Sequence, residues 1–141
     1  MPCSLAPQVV SFSRVKIAAT VAVVLLIIIA LFQVALAMGA PLGNIAWGGK
    51  HDRVLPARLR AASAVAGLVV YPAVIVVVLS ASSLIEADLV PGRGMLTMWA
   101  LATLFVVGAI ANAASRSPAE RWWAPISLAI AICCAAVAAG L

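Results

Sequence analysis

The chain predicts an all-α fold, a bundle of four transmembrane helices, and three observations carry that prediction. Residues 17–38, 61–80, 95–114 and 122–141 contain no Asp, Glu, Lys or Arg. Each run suffices, at ~1.5 Å of helix rise per residue, to cross a ~30 Å hydrocarbon layer. Only 9% of all residues are charged and 66% are hydrophobic, whereas a soluble domain carries about 25% charged residues. The 141 residues therefore read as a single integral membrane domain spanning 1–141, with every charge in a connector or a tail.

The first span is rich in Val, Ile and Leu, and Gln33 is its markedly polar side chain. Arg14 and Lys16 precede it, and Ala35, Leu36 and Ala37 mimic a signal-peptide cleavage site. The apolar run exceeds the ~7 to 15 residues of an ordinary signal-peptide core, so we expect a retained helix. The second span has Tyr71 and Pro72 near its middle; Pro72 removes one backbone donor and predicts a kink. Val90, Pro91, Gly92 and Arg93 spell a type II turn before the third span, with Pro fixing φ and Gly supplying φ > 0. Ser117, Pro118, Ala119 and Glu120 spell a capping box with Pro at the first helical position, predicting a helix that begins near Pro118. Glu120, Arg121, Trp122 and Trp123 then form a charged and aromatic collar suited to lipid headgroups, and Pro125 is expected to bend the helix.

The net charge of +5 does not indicate nucleic acid, because the basic residues sit in short connectors beside apolar runs. Their distribution addresses orientation instead. Arg14, Lys16 and Arg93 lie on the face holding both termini, whereas Lys50, Arg53, Arg58, Arg60, Arg116 and Arg121 lie on the other. The richer face should be cytoplasmic, which puts both termini outside. Cys3 stands alone and Cys133 and Cys134 are adjacent. No pair has the spacing of a disulfide framework or a zinc site, and we read these residues as small apolar fillers.

Residues 39–57 form the most unusual segment, GAPLGNIAWGGKHDRVLPA, longer than most compact connections. Two readings apply. As an interfacial loop, Trp47 anchors at the headgroups while Lys50, Arg53, Arg58 and Arg60 contact anionic phosphates; this is the simpler one. As a ligand loop built from Gly39, Pro41, Gly43, Trp47, Gly48, Gly49 and His51, it folds back on the bundle and closes a pocket, Gly48 and Gly49 letting backbone approach a ligand. His51 and Asp52 form the chain's His–carboxylate pair. Together they are too few for a zinc site or a bis-His haem, so we expect no metal and no cofactor.

Within the spans, Gln33, Tyr71 and Asn112 are the candidate interhelical polar contacts, since an amide facing lipid would leave donors and acceptors unpaired. Ser63 with Gly67, Ala109 with Ala113 and Ala136 with Gly140 supply small-residue spacing for close helix approach. All four carboxylates, Asp52, Glu86, Asp88 and Glu120, fall in connectors. A proton-coupled carrier places one at membrane depth. Size and span count match small multidrug transporters, but the first-helix Glu of that family is missing. No Ser or Cys nucleophile has an identifiable base, which argues against an enzyme.

In its four spans, in GAPLGNIAWGG followed by LPARLR, and in SRSPAER before the last span, the chain resembles small uncharacterised bacterial four-helix integral membrane proteins. The likeness covers nearly the whole chain and implies no activity. The expectation is a non-catalytic protein of a bacterial cytoplasmic membrane, either an accessory or assembly component or a binder of a lipid-like ligand. A small oligomeric transporter or channel without an intramembrane carboxylate is the alternative, and a membrane enzyme the third reading. Its partners would be membrane lipids, further copies of itself or a larger membrane complex, and no nucleic acid.

Overall fold

The computed structural model describes residues 6–87, 89 and 94–140, with side-chain surroundings from residue 13 onward. The described residues are helical or irregular, with no strand among them. Helix α1 is Ala6–Ala37, α2 is Ala57–Ala81, α3 is Gly94–Ala113 and α4 is Trp123–Gly140, the last preceded by a 3₁₀ turn at Glu120–Trp122. Stretches of all four, Ser13–Ala37, Ala57–Ala81, Gly94–Ala113 and Glu120–Gly140, are long and apolar enough to cross a membrane, which makes the chain a multi-pass membrane protein. The type II turn expected at Val90–Arg93 and the tail holding Cys3 lie outside the described residues.

Helix α1 packs against α2 and α4, α4 packs most extensively against α3, and α2 meets α3 over a short stretch. The buried positions explain the arrangement. Val15, Ala19, Ala22, Leu26 and Ile29 of α1, and Met98, Ala102, Phe105 and Ala109 of α3, recur at steps of three and four residues. Ser127, Ile130, Ala131, Cys134, Val137 and Ala138 of α4 do the same, so each helix presents one seam to its neighbours. Many of these residues are Ala, which lets backbones approach closely where no water-driven burial is available. Cys134 is buried in that seam and Cys133 half-buried beside it, both as free thiols. Outside the seam, large apolar side chains such as Leu31, Leu68, Leu96 and Ile132 are more than 60% exposed, an apolar jacket suited to lipid and far beyond what a soluble monomer displays.

Pro72 does not break α2. Residues Ala66–Val70 form a single π turn, in which Tyr71 N–H reaches the Ala66 carbonyl, and the α-helix resumes at Tyr71. The wider turn absorbs the steric conflict between the proline ring and the preceding turn. Beside it Gly67 sets the α1–α2 separation: a Cβ there would lie 2.9 Å from the Ala30 carbonyl oxygen and 3.0 Å from Val34 N.

Helix α4 begins later than the expected position near Pro118. Residues 118–119 form a turn, Glu120–Trp122 is 3₁₀, and the α-helix opens at Trp123. Pro125 accounts for this. In an α-helix begun at Pro118 its ring would meet the Arg121 carbonyl, whereas after a start at Trp123 its missing N–H falls among the first-turn donors that have no helical partner.

Candidate functional site

The connector between α1 and α2 begins at a tight helix end. Gly39 takes φ +94, Ala40 N–H bonds the Ala35 carbonyl at 3.0 Å and Gly39 N–H bonds the Leu36 carbonyl at 3.1 Å, the Schellman pattern that lets a chain leave a helix sharply. Arg60 Nε donates to the Ala37 carbonyl at 3.0 Å, satisfying one of the orphan acceptors of the last turn. At the base of the connector Gly43 N–H bonds the Arg53 carbonyl at 2.8 Å. A Cβ at Gly43 would lie 2.7 Å from the His51 carbonyl oxygen, so the two limbs of the loop meet only because this residue has no side chain. Ala46 and Leu55 are buried with Leu36, against Phe32, Leu42 and Leu59, giving the connector an apolar underside.

Its tip folds back over the bundle. Trp47, Gly48 and Gly49 take φ of 53°, 83° and 63°, a left-handed run that costs a non-glycine residue such as Trp47 roughly 1–2 kcal/mol. Hydrogen bonds hold it there. Trp47 Nε1 donates to Ser63 Oγ of α2 at 3.0 Å, and Gly48 N–H donates to Glu120 Oε1 at 2.9 Å. Ser117 Oγ donates to the Asn44 carbonyl at 2.7 Å, and Trp123 Nε1 to the Ile45 carbonyl at 3.0 Å. These bonds dock the connector on α2 and on the start of α4. Space is not what Gly48 contributes, since a Cβ there would meet nothing within 4 Å. At Gly49 a Cβ would overlap the Ser117 side chain, so the close approach at that glycine is to the protein itself.

Glu120 is the residue whose role the sequence misplaces. The capping box implies a carboxylate that reaches back to its own N-cap, but Ser115 Oγ takes that part, accepting from Ser117 N–H at 3.2 Å. Ser117 Oγ still accepts from Glu120 N–H, at 3.4 Å. The carboxylate is freed to turn inward, where it is 8% exposed and accepts from Gly48 N–H and from the Ser115 hydroxyl. The collar divides in two. Trp122 is 77% exposed at the periphery, whereas Trp123 turns inward with its ring centroid 4.4 Å from that of Phe32.

Beneath the loop lies a cavity of about 260 Å³, lined on its apolar side by Ile29, Phe32, Ile45, Ala46, Trp47 and Trp123 and on its polar side by Gln33, Tyr71, Asn112, Glu120 and Ser127. All three polar candidates of the spans thus meet on one wall system, with Trp47 from the loop. They do not act alike. Asn112 Nδ2 donates to Ser127 Oγ at 3.3 Å, a bond between α3 and α4. Gln33 Oε1 is buried with no hydrogen-bond partner, so the interhelical bond expected of this amide is not formed by that atom. Gly39, Pro41, Gly43, Gly48, Gly49 and His51 shape or flank the loop and do not line this cavity. Gly48, Gly49 and Lys50 instead border a shallower groove of about 520 Å³ with Arg116 and Ser117.

Ser63, Glu120, Trp123 and Phe32 complete the site and were not readable as such. The nearest signal was the Trp123 and Phe32 aromatics at the ends of their spans. Compared with known proteins, the chain matches no family model, no curated protein and no solved structure.

Proposed function

We propose that the protein is a non-catalytic component of a bacterial cytoplasmic membrane that binds a lipid-like ligand in the cavity under its first connector. The observation carrying this reading is the buried, unpartnered Gln33 Oε1 on the wall of a 260 Å³ cavity. A buried acceptor without a donor costs about 1–3 kcal/mol, and a bound molecule that supplies a donor removes that penalty. The mixed lining supports an amphiphile: Ile29, Phe32 and Ala46 receive an apolar part and Gln33, Tyr71 and Glu120 a polar one. We orient the chain with Lys50, Arg53, Arg58, Arg60, Arg116 and Arg121 on the cytoplasmic face, so the cavity opens at that side and both termini lie outside.

Native mass spectrometry of gently solubilised protein tests this. A retained amphiphile mass is expected on the wild-type chain and is expected to be lost from Ala46→Phe, which fills the cavity. Wild-type protein that carries other subunits but no small molecule would favour a purely assembly-based role and overturn the proposal.

A further inference from the structure

Three donors on the cavity wall are committed: Trp47 Nε1 to Ser63, Trp123 Nε1 to the Ile45 carbonyl, Asn112 Nδ2 to Ser127. The Tyr71 hydroxyl and Gln33 Nε2 also line it as donors. Two acceptors keep unused capacity. Gln33 Oε1 has no donor at all. The Glu120 carboxylate has taken Gly48 N–H and the Ser115 hydroxyl, leaving about half of its roughly four lone-pair sites. Both donors to that carboxylate are neutral, so its negative charge, 8% exposed, sits in a poorly solvated place where an arriving cation is strongly favoured and an anion repelled. Four aromatic residues, Phe32, Trp47, Tyr71 and Trp123, line the same cavity, and aromatic faces attract a desolvated cation through the ring quadrupole.

We propose that the cavity takes an amphiphilic organic cation, a primary or secondary ammonium whose N–H groups meet Gln33 Oε1 and Glu120 while its apolar part lies against Ile29, Phe32 and Ala46. This rests on the reading of the cavity as a ligand site and names the chemistry of its occupant. The volume of about 260 Å³ holds roughly ten non-hydrogen atoms, scaling from the ~150 Å³ apolar cavity that takes benzene. Short-chain amines are therefore suitable probes.

The experiment is equilibrium dialysis of labelled octylamine, 1-octanol and octanoate against the full chain in lipid nanodiscs, with empty nanodiscs as the blank. All three probes share an eight-carbon skeleton and differ in head group. Octylamine is expected to bind at least about tenfold more tightly than octanol, the increment of one charge-assisted hydrogen bond, and octanoate more weakly than either. In Glu120→Gln the amine should lose about tenfold relative to octanol, whose remaining binding also shows that the cavity persists in the variant; the wild-type comparison of head groups stands even if that variant does not insert. Equal or tighter binding of octanol or octanoate overturns the cation assignment and leaves the ligand cavity intact. Failure of all three probes to exceed the blank overturns both.

Discussion

Gly48 and Gly49 are neighbours with similar left-handed backbones, yet replacing each with alanine should have different consequences. At Gly48, φ is +83° and a Cβ meets open space, so Gly48→Ala bears only the conformational term, roughly 1–2 kcal/mol. At Gly49, φ is +63° and a Cβ overlaps Ser117, whose hydroxyl donates to the Asn44 carbonyl and accepts from Glu120 N–H. Moving Ser117 aside weakens those two bonds at about 0.5–1.5 kcal/mol each. Gly49→Ala should therefore destabilise the docked connector by about 2–5 kcal/mol, with Gly48→Ala at about half of that or less. Tryptic cleavage at the exposed Lys50 and Arg53 in detergent reads this directly, because cleavage tracks the open population when reclosing is fast. The Gly49 variant should be cut about tenfold faster than the Gly48 variant, the equivalent of ~1.4 kcal/mol. Ser117→Gly placed in the Gly49→Ala chain should recover part of the loss, a non-additive coupling expected only of residues in contact. Equal cleavage of the two alanine variants, or simple additivity with Ser117→Gly, would refute the docked geometry.

The two amides of the cavity should part company when each becomes leucine. Asn112→Leu removes the bond to Ser127 and should lower stability by about 0.6 kcal/mol, at most about 2, whereas Gln33→Leu removes an unpartnered buried acceptor and should leave stability unchanged or raise it by about 1 kcal/mol; denaturant titration in mixed micelles measures both. Gly67→Val should destabilise the α1–α2 contact by about 1–3 kcal/mol or prevent insertion, since a Cβ there meets the Ala30 and Val34 backbone, and protein level together with thermal unfolding checks it. Single cysteines replacing Lys50, Arg53 and Arg116, in a chain lacking Cys3, Cys133 and Cys134, should all resist an impermeant thiol reagent in intact cells. The contact between Ser117 and Asn44 places both connectors at one end of the bundle, so labelling of one connector but not the other would contradict the fold, and labelling of both would reverse the proposed orientation.

Apart from the start of α1, which begins at Ala6 rather than at residue 17, helix positions were legible to within a few residues, because uncharged apolar runs of that length have one stable state in hydrocarbon. The differences at the ends are instructive. Helix α2 starts at Ala57 rather than at residue 61, since helical geometry does not stop where charge begins, and Arg60, thereby held on its first turns, reaches the Ala37 carbonyl. Pro72 was visible as a disturbance, but the π turn that accommodates it was not, for proline marks a missing bond without specifying which neighbouring turn relaxes. In the site, the need for Asn112 to find a partner was readable from its amide alone. The lack of a partner for Gln33 Oε1 was not, because it depends on how the packed helices place that atom relative to the donors of other helices.

What the sequence determined by itself is the solvent of this protein and the number of its helices: burial in lipid depends on local composition and length, which are properties of contiguous residues. What only the tertiary structure decided is the site. Glu120 meets Gly48 across 72 positions of chain and Trp123 meets Ile45 across 78, and neither pairing leaves a local signature. The same Glu120 that reads as a helix cap in its own neighbourhood becomes a buried carboxylate on a cavity wall once the first connector folds over it, because hydrogen-bonding groups are satisfied by whichever partner the packed helices bring near, and that choice belongs to three dimensions.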